Sequence, residues 1–340
     1  MSLLQLPPET LLQIFDEIGS SFFHEDLGRL TVCRWWLEFA LPVSFKRITI
    51  VPRNLAGLLV SKAAKTPSYL ENSLEDLGIK LEGHLTRPYM AISQEDADAS
   101  DYETLNEIHE KSLIALNKDL IKLANTAQRS RKLRILRIRT RLSLSFTPHY
   151  LGPDCYLSAS TMKALLSLET LRVLVLDSCM EFLIPNEGPH VCSAIGALLP
   201  TLQILHLRMY HICPEVLRPH DSDKSLCLSV VVVNLSMLTP RSNIGGAAHS
   251  RRCMFRIGGT PQLKADIREQ AEALVPRMAS PKTVRILTHT LPAFKMHSFD
   301  VLTGKTMLLE ENMDWDEDGE IVAEDSGSES ESDISSLSDF

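Results

Sequence analysis

The sequence predicts a mixed α/β protein: a group of three N-terminal helices, a body in which strands and helices alternate, and an acidic tail that stays unfolded. Three observations predict it. Residues 6–18, LPPETLLQIFDEI, carry an apolar stripe at helical spacing; a phrase of the form L-x-x-L-x-hydrophobic returns four times beyond residue 50; and residues 310–340 hold 13 Asp and Glu with no Lys or Arg.

Leu11, Ile14, Phe15 and Ile18 fall at i, i+3, i+4 and i+7, one face of an amphipathic helix, and Pro7 or Pro8 suits a first turn where no N–H donor is needed. Such a stripe is too narrow to form a core alone, so something must cover it. GSSFFHE, residues 19–25, follows as a loop, and Leu27 and Leu30 mark a short second helix. VCRWWLEFAL marks a third, ended by Pro42, and FKRITI alternates as a strand does.

In that order, LPPETLLQIFDEI followed by DLGRLTVCRWWLEFALPVSFKRITI resembles the F-box motif of many fungal F-box proteins, over residues 3–50. The resemblance implies a three-helix module, residues 1–50, whose apolar face docks on the Skp adaptor and through it on a cullin/RING ubiquitin ligase. It places Leu6, Pro7, Leu11, Ile14, Phe15, Leu27, Leu30, Val32 and Cys33 at or beside that interface, with Trp36 and Phe39 turned toward the rest of the chain. Against the family pattern, the loop from Gly19 to Glu25 is long and the run from Leu27 to Cys33 is one residue short, which predicts a distorted second helix. The other cover for the stripe is residues 50–130 of the same chain.

The returning phrase is LEDLGIKL after Leu74, LRILRI at Leu133, LRVLVLDSC at Leu171 and LQILHL at Leu202, at separations of 59, 38 and 31 residues. Its clearest copy, Leu168, Leu171, Leu174, Leu176 and Cys179, resembles a leucine-rich repeat. Residues 51–309 are thus expected to form an irregular leucine-rich-repeat-like substrate-binding domain; an ordinary α/β domain with parallel strands is the alternative. LSVVVVNLS and TVRILTHT supply further strands, and TPQLKADIREQAEALVPRM a helix. Leu105, Ile108, Leu113, Leu116, Leu120 and Leu123 form the stripe of a packed helix, and residues 82–102 read as a loop.

On repeat geometry the outward positions of these strands line one surface: Arg137 and Arg139, Val175 and Asp177, His206 and Arg208. These are the expected substrate contacts; the plainer reading of each is a solvated strand face. RSRKLRILRIRTR, residues 129–141, carries seven basic residues with no interleaved aromatics. That favours a basic rim for an acidic or phosphorylated protein over a nucleic-acid surface.

The tail is too acidic and too poor in large apolar residues to fold unaided. Ser326, Ser328, Ser330 and Ser336 each precede an acidic residue by three positions, the preference of acidophilic kinases, and DSGSES resembles a D-S-G-x-x-S phosphodegron. Either the phosphorylated tail marks the chain for turnover or it folds back onto Arg137 and Arg139 as a pseudosubstrate. Removing residues 310–340 leaves a body of net charge +5 from a whole-chain value of −8.

Hydrophobic content of 44% supports a sizeable core, and no apolar run approaches the ~20 residues of a membrane span. The start lacks a signal-peptide pattern. Seven scattered cysteines without C-x-x-C spacing point to structural thiols in the cytosol or nucleus and to neither zinc nor a redox centre. No cofactor is expected. TGKT, residues 303–306, lacks the P-loop's upstream glycine, where Phe299 stands, and fits a hairpin turn between FDVL and TMLL. No other catalytic motif occurs.

The expected function is therefore non-enzymatic: a substrate-recognition subunit of a Skp/cullin/F-box ligase that brings a protein target to its partners' chemistry. A scaffold that binds the Skp adaptor without ubiquitin transfer is the alternative. A third reading, an enzyme or nucleic-acid binder, predicts that Leu11 and Phe15 are buried by their own chain.

Overall fold

The computed structural model describes residues 6–61, 68–82, 99–141, 157–178, 190–221, 225–237, 249–253, 259–290, 295–310 and 313–322. Cys155, Cys179, the tail serines and residues 83–98 of the expected loop lie outside the described residues.

Helix α1 (Pro8–Glu25) starts on a proline, as its sequence requires, and breaks at Gly19, whose φ of 78° only glycine adopts without cost. The expected loop after Gly19 is instead helical from Ser20 to Glu25, because Phe23 turns inward beside Phe15, ring centroids 5.8 Å apart. The second helix is a single 3-10 turn, Leu27–Leu30, capped by the Asp26 carboxylate, which accepts from Gly28 N at 2.8 Å. Helix α2 (Arg34–Ser44) runs through Pro42 rather than stopping there: the proline sits in the last turn, and Phe45 N still bonds Leu41 O. Leu11, Phe15, Phe23, Leu30, Ala40 and Val43 close a small core, with Leu6, Trp36 and Leu37 packed against it.

Beyond the module the elements are β1 (Arg47–Ile50), α3 (Pro52–Val60), α4 (Ser68–Ser73), β2 (Asp76–Glu82), α5 (Ala99–Ala127), β3 (Ile135–Arg141), α6 (Ala159–Leu166), β4 (Val173–Ser178), α7 (Val191–Leu198), β5 (Ile204–Met209), β6 (His211–Ile212), β7 (Val230–Asn234), β8 (Arg251–Arg252), α8 (Gly259–Leu274), β9 (Thr283–Thr290), β10 (Lys295–Asp300), β11 (Thr306–Leu309) and β12 (Glu320–Ile321). One sheet takes the order β1-β2-β3-β4-β5-β7-β9-β10-β11-β12; β6 and β8 pair separately. From β1 to β9 every pairing is parallel, and from β9 to β12 every pairing is antiparallel. Because each parallel strand lies beside its predecessor, and such crossovers share one hand, the helices gather on one face. The main core there joins Leu77, Leu136, Leu174, Leu205, Val231 and Val284 of the strands to Leu55, Leu120, Leu165, Ile195 and Ile267 of the helices.

In the large sheet every parallel strand after β1 is entered the same way. The N–H pairs of Glu75 and Asp76, Arg134 and Ile135, Arg172 and Val173, Gln203 and Ile204, Ser229 and Val230, and Lys282 and Thr283 each donate to one carbonyl on the strand before. Buried Leu74, Leu133, Leu171, Leu202 and Leu228 stand just ahead of five of these pairs. The recurrent leucine phrase therefore marks one local structure: a buried leucine, a shared carbonyl, then a strand. TGKT forms the β10–β11 turn, with Gly304 at φ 70°.

Candidate functional site

Strand register sets the outer face of the sheet, opposite the helices. One row runs Thr49, Gly78, Arg137, Val175, His206, Val232, Arg285, and the next Lys80, Arg139, Asp177, Arg208, Asn234, Leu287. The register thus aligns all the substrate contacts that the sequence predicts. Their surroundings differ along the row.

At the β1–β3 end the face is open. Arg47, Thr49, Asp76, Gly78, Lys80, Arg137 and Arg139 line a shallow hollow of about 110 Å³. Arg137 is paired with Asp76, whereas the Arg139 Nε is buried without a hydrogen-bond partner among the described residues. Gly78 keeps the floor low: a Cβ there would sit 3.1 Å from Thr49 Oγ1.

At the β5–β9 end the face is covered, and this corrects the expectation of an unfolded tail from residue 310. Residues 313–322 lie across it, held by β12 on β11. Trp315 stacks under the Arg208 guanidinium at 5.0 Å, Arg285 pairs with Asp318 and the Glu317 carbonyl, and His206 Nε2 is 3.9 Å from Asp316. Met313 and Trp315 also cover Val232 and Leu287. A methyl on Gly319 would overlap the Leu308 carbonyl, so this segment lies flush on β11. As a result Asp177 and Arg208 are not open contact residues: they are 4% and 6% exposed and bonded to each other, Nε to Oδ1 at 2.7 Å. His206 is shielded too, and burial lowers its pKa against the pull of Asp316 and Asp314. Contact with Arg137 and Arg139, expected of a folded-back tail, is not made by this segment. The four tail serines lie outside the described residues.

In the N-terminal module the nine expected docking residues divide. Leu11, Phe15 and Leu30 are buried in the module's own core, Leu6, Ile14 and Cys33 are half-buried, and Pro7, Leu27 and Val32 face outward. Leu27 and Val32 are 65% and 62% exposed, and Leu12 and Ile18 join them at the surface. Leu11 and Phe15, expected at or beside the interface, lie in the module's own core: with α2 folded back over α1, they pack with Trp36 and Val43 rather than facing solvent. Their burial by their own chain was the expectation of the third reading, but the cover is residues 6–43, not residues 50–130. Cys33 has a local task, its Sγ accepting from Trp36 N at the start of α2.

A third group was missed by the sequence. His190, Cys192, Cys213 and Cys253 bring one imidazole nitrogen and three sulfurs within 4.8 Å of one another. Cys213 is pulled down to about 3 by hydrogen bonds from Cys192 and Cys253, with His190 adding to them. Cys192 is raised by its bonds to Cys213 and Cys253, and by burial. Cys253 is pushed up to about 12; its bond with Cys192 acts downward, but the bond with Cys213 and burial prevail. No spacing rule finds the group, because 20 and 39 residues separate the three cysteines.

Among the described residues no helix is long and apolar enough to cross a membrane. Compared with protein-family models the chain matches none, and it matches no curated protein.

Proposed function

We propose that the chain is a non-catalytic substrate-recognition subunit of a Skp/cullin/F-box ubiquitin ligase, with an F-box over residues 1–50 and a leucine-rich-repeat-like body. The observation that carries the reading is the N-terminal module itself: three short helical segments with a closed core that still expose Leu12, Ile18, Leu27 and Val32. Apolar side chains left outward by a finished core are available to a partner. The F-box resemblance names that partner as the Skp adaptor.

For the target, the open β1–β3 end of the sheet is the better half. Lys80 is exposed and Arg47 and Arg139 flank the hollow, a geometry that suits an acidic or phosphorylated segment. The covered end is closed by the chain's own acidic segment, which already answers Arg208 and Arg285. The contribution to catalysis is proximity, since holding a target lysine near an activated thioester raises its effective concentration.

Full-length chain co-expressed with the Skp adaptor is expected to elute as a one-to-one complex in light-scattering size exclusion. Leu27→Asp with Val32→Asp, both at the surface, abolishes the complex while leaving the far-UV spectrum unchanged. A wild-type monomer that ignores the adaptor would overturn the reading. Retention of a cullin in the complex separates a ligase subunit from a scaffold.

A further inference from the structure

The His190, Cys192, Cys213 and Cys253 group sits on the helix side of the sheet, away from the outer sheet face, and is built by three separate chain segments. Parallel pairing of β6 with β8 sets His211 beside Arg251 and Ile212 beside Arg252. The next residue on each strand, Cys213 and Cys253, therefore emerges side by side, fixed by Cys253 N donating to Ile212 O at 3.2 Å. Helix α7 brings the other two: His190 immediately precedes it and Cys192 stands in its first turn. Gly196 allows this approach, because a Cβ there would come within 2.6 Å of the Arg218 carbonyl and 2.7 Å of that of Glu215.

Two of the distances are those of a coordination shell, and the cysteines are not covalently joined. Cys192 Sγ and Cys253 Sγ are 3.6 Å apart, and Cys213 Sγ is 3.4 Å from His190 Nε2. A disulfide needs sulfurs about 2.0 Å apart. Zinc in a tetrahedron, with bonds of about 2.3 Å to sulfur and about 2.0 Å to nitrogen, puts two sulfurs about 3.8 Å apart and a sulfur about 3.5 Å from a nitrogen. The two observed distances fall close to these edges. All three cysteines are buried, which leaves no open position for a reacting water.

We propose that His190, Cys192, Cys213 and Cys253 form a Cys3His site for a structural zinc ion that ties α7 to the ends of β6 and β8. Three thiolates and an imidazole are soft-to-borderline donors that suit zinc over calcium or magnesium, and four protein ligands with no vacancy mark a structural rather than a catalytic site. As the ion binds, the thiols give up their protons to solvent and no electrons move. The ion would cross-link two short strands and one short helix that already pack on the main core through Ile195, Leu198 and Ile212. The site is independent of the ubiquitin-ligase reading and stands if that fails.

Full-length protein purified without chelator from zinc-supplemented medium is expected to carry one zinc per chain by elemental mass spectrometry. Exchange for Co²⁺ gives the visible and thiolate charge-transfer bands of tetrahedral sulfur-rich cobalt. Cys192→Ser and Cys253→Ser each lower zinc content toward zero, while Cys227→Ser, an exposed cysteine, leaves it at one. If the serine variants do not fold, the cobalt spectrum of the wild type decides. Folded wild-type protein that is zinc-free and develops no thiolate–cobalt band, or a Cys192–Cys253 disulfide found by peptide mapping, would overturn the proposal.

Discussion

Single residues in this protein are exacting where two segments meet. Phe15 is fully buried between Phe23 and Trp36, with ring centroids 5.8 and 4.5 Å away in edge-to-face contact. Removing such a ring from a small core costs about 3–5 kcal/mol. Phe15→Ala is therefore expected to unfold the N-terminal module while the sheet remains, seen as loss of amide-exchange protection confined to residues 8–44. A substitution at Phe15 or Leu11 tests the module's stability and not its docking, whereas Leu27 and Val32 lie at the surface, 65% and 62% exposed.

The same scale carries a pH dependence. His289 stacks on His249 with rings 3.9 Å apart, its Nδ1 2.9 Å from Ser236 Oγ. Burial, then the neighbouring His249, holds His289 down to about 4, and burial lowers His249 as well. The unfolded chain takes up these protons from about pH 6.5 downward, whereas folded His289 does so only near 4. Stability present at neutral pH is thus lost as pH falls from about 6.5 toward 4. Denaturation midpoints measured between pH 7 and 5 should decline, and His289→Gln should flatten that decline; an equal slope in wild type and variant would remove His289 as its source.

Among elements, the segment 313–322 has the largest consequence. It turns the β5–β9 end of a sheet face into interior, burying Val232 and Leu287 and closing over the Asp177–Arg208 pair. Truncation after Leu309 reopens that face. A half-buried Trp315 and its apolar neighbours put the loss at about 2 kcal/mol, so the melting temperature should drop by several degrees. Proteolysis should also become faster. Gly319→Val should reproduce the loss within the intact chain, since its side chain collides with the β11 backbone. An unchanged melting temperature in both variants would mean that the segment is not held there in solution. Truncation also adds Arg208 and Arg285 to the open basic surface.

For the whole molecule, what the sequence made legible and what it left hidden follow a physical line. Local periodicity was enough for the N-terminal helices and for the strands at 76–82, 135–141, 173–178, 204–209, 230–234 and 283–290, because each depends on which neighbours along the chain share a face. The run Val230 to Val233, apolar without alternation, read as a further strand, and the structure buries it on both faces. The tail reading failed at 313–322 because net charge forecasts a solvated chain, but Trp315 and the fixed cations Arg208 and Arg285 offset the cost of ordering it.

By itself, then, the sequence determined the class of fold, the order of its strands along the chain, the alignment of basic residues near residue 137 and the existence of an N-terminal helical module. Only the tertiary structure decided which apolar residues of that module are spent on its own core, which half of the sheet face stays open, and that His190, Cys192, Cys213 and Cys253 meet. Those are contacts between residues far apart in the chain. Their geometry is set by sheet register, by helix approach at Gly196 and by the glycine that lets residues 313–322 lie flat, and no local spacing carries that information.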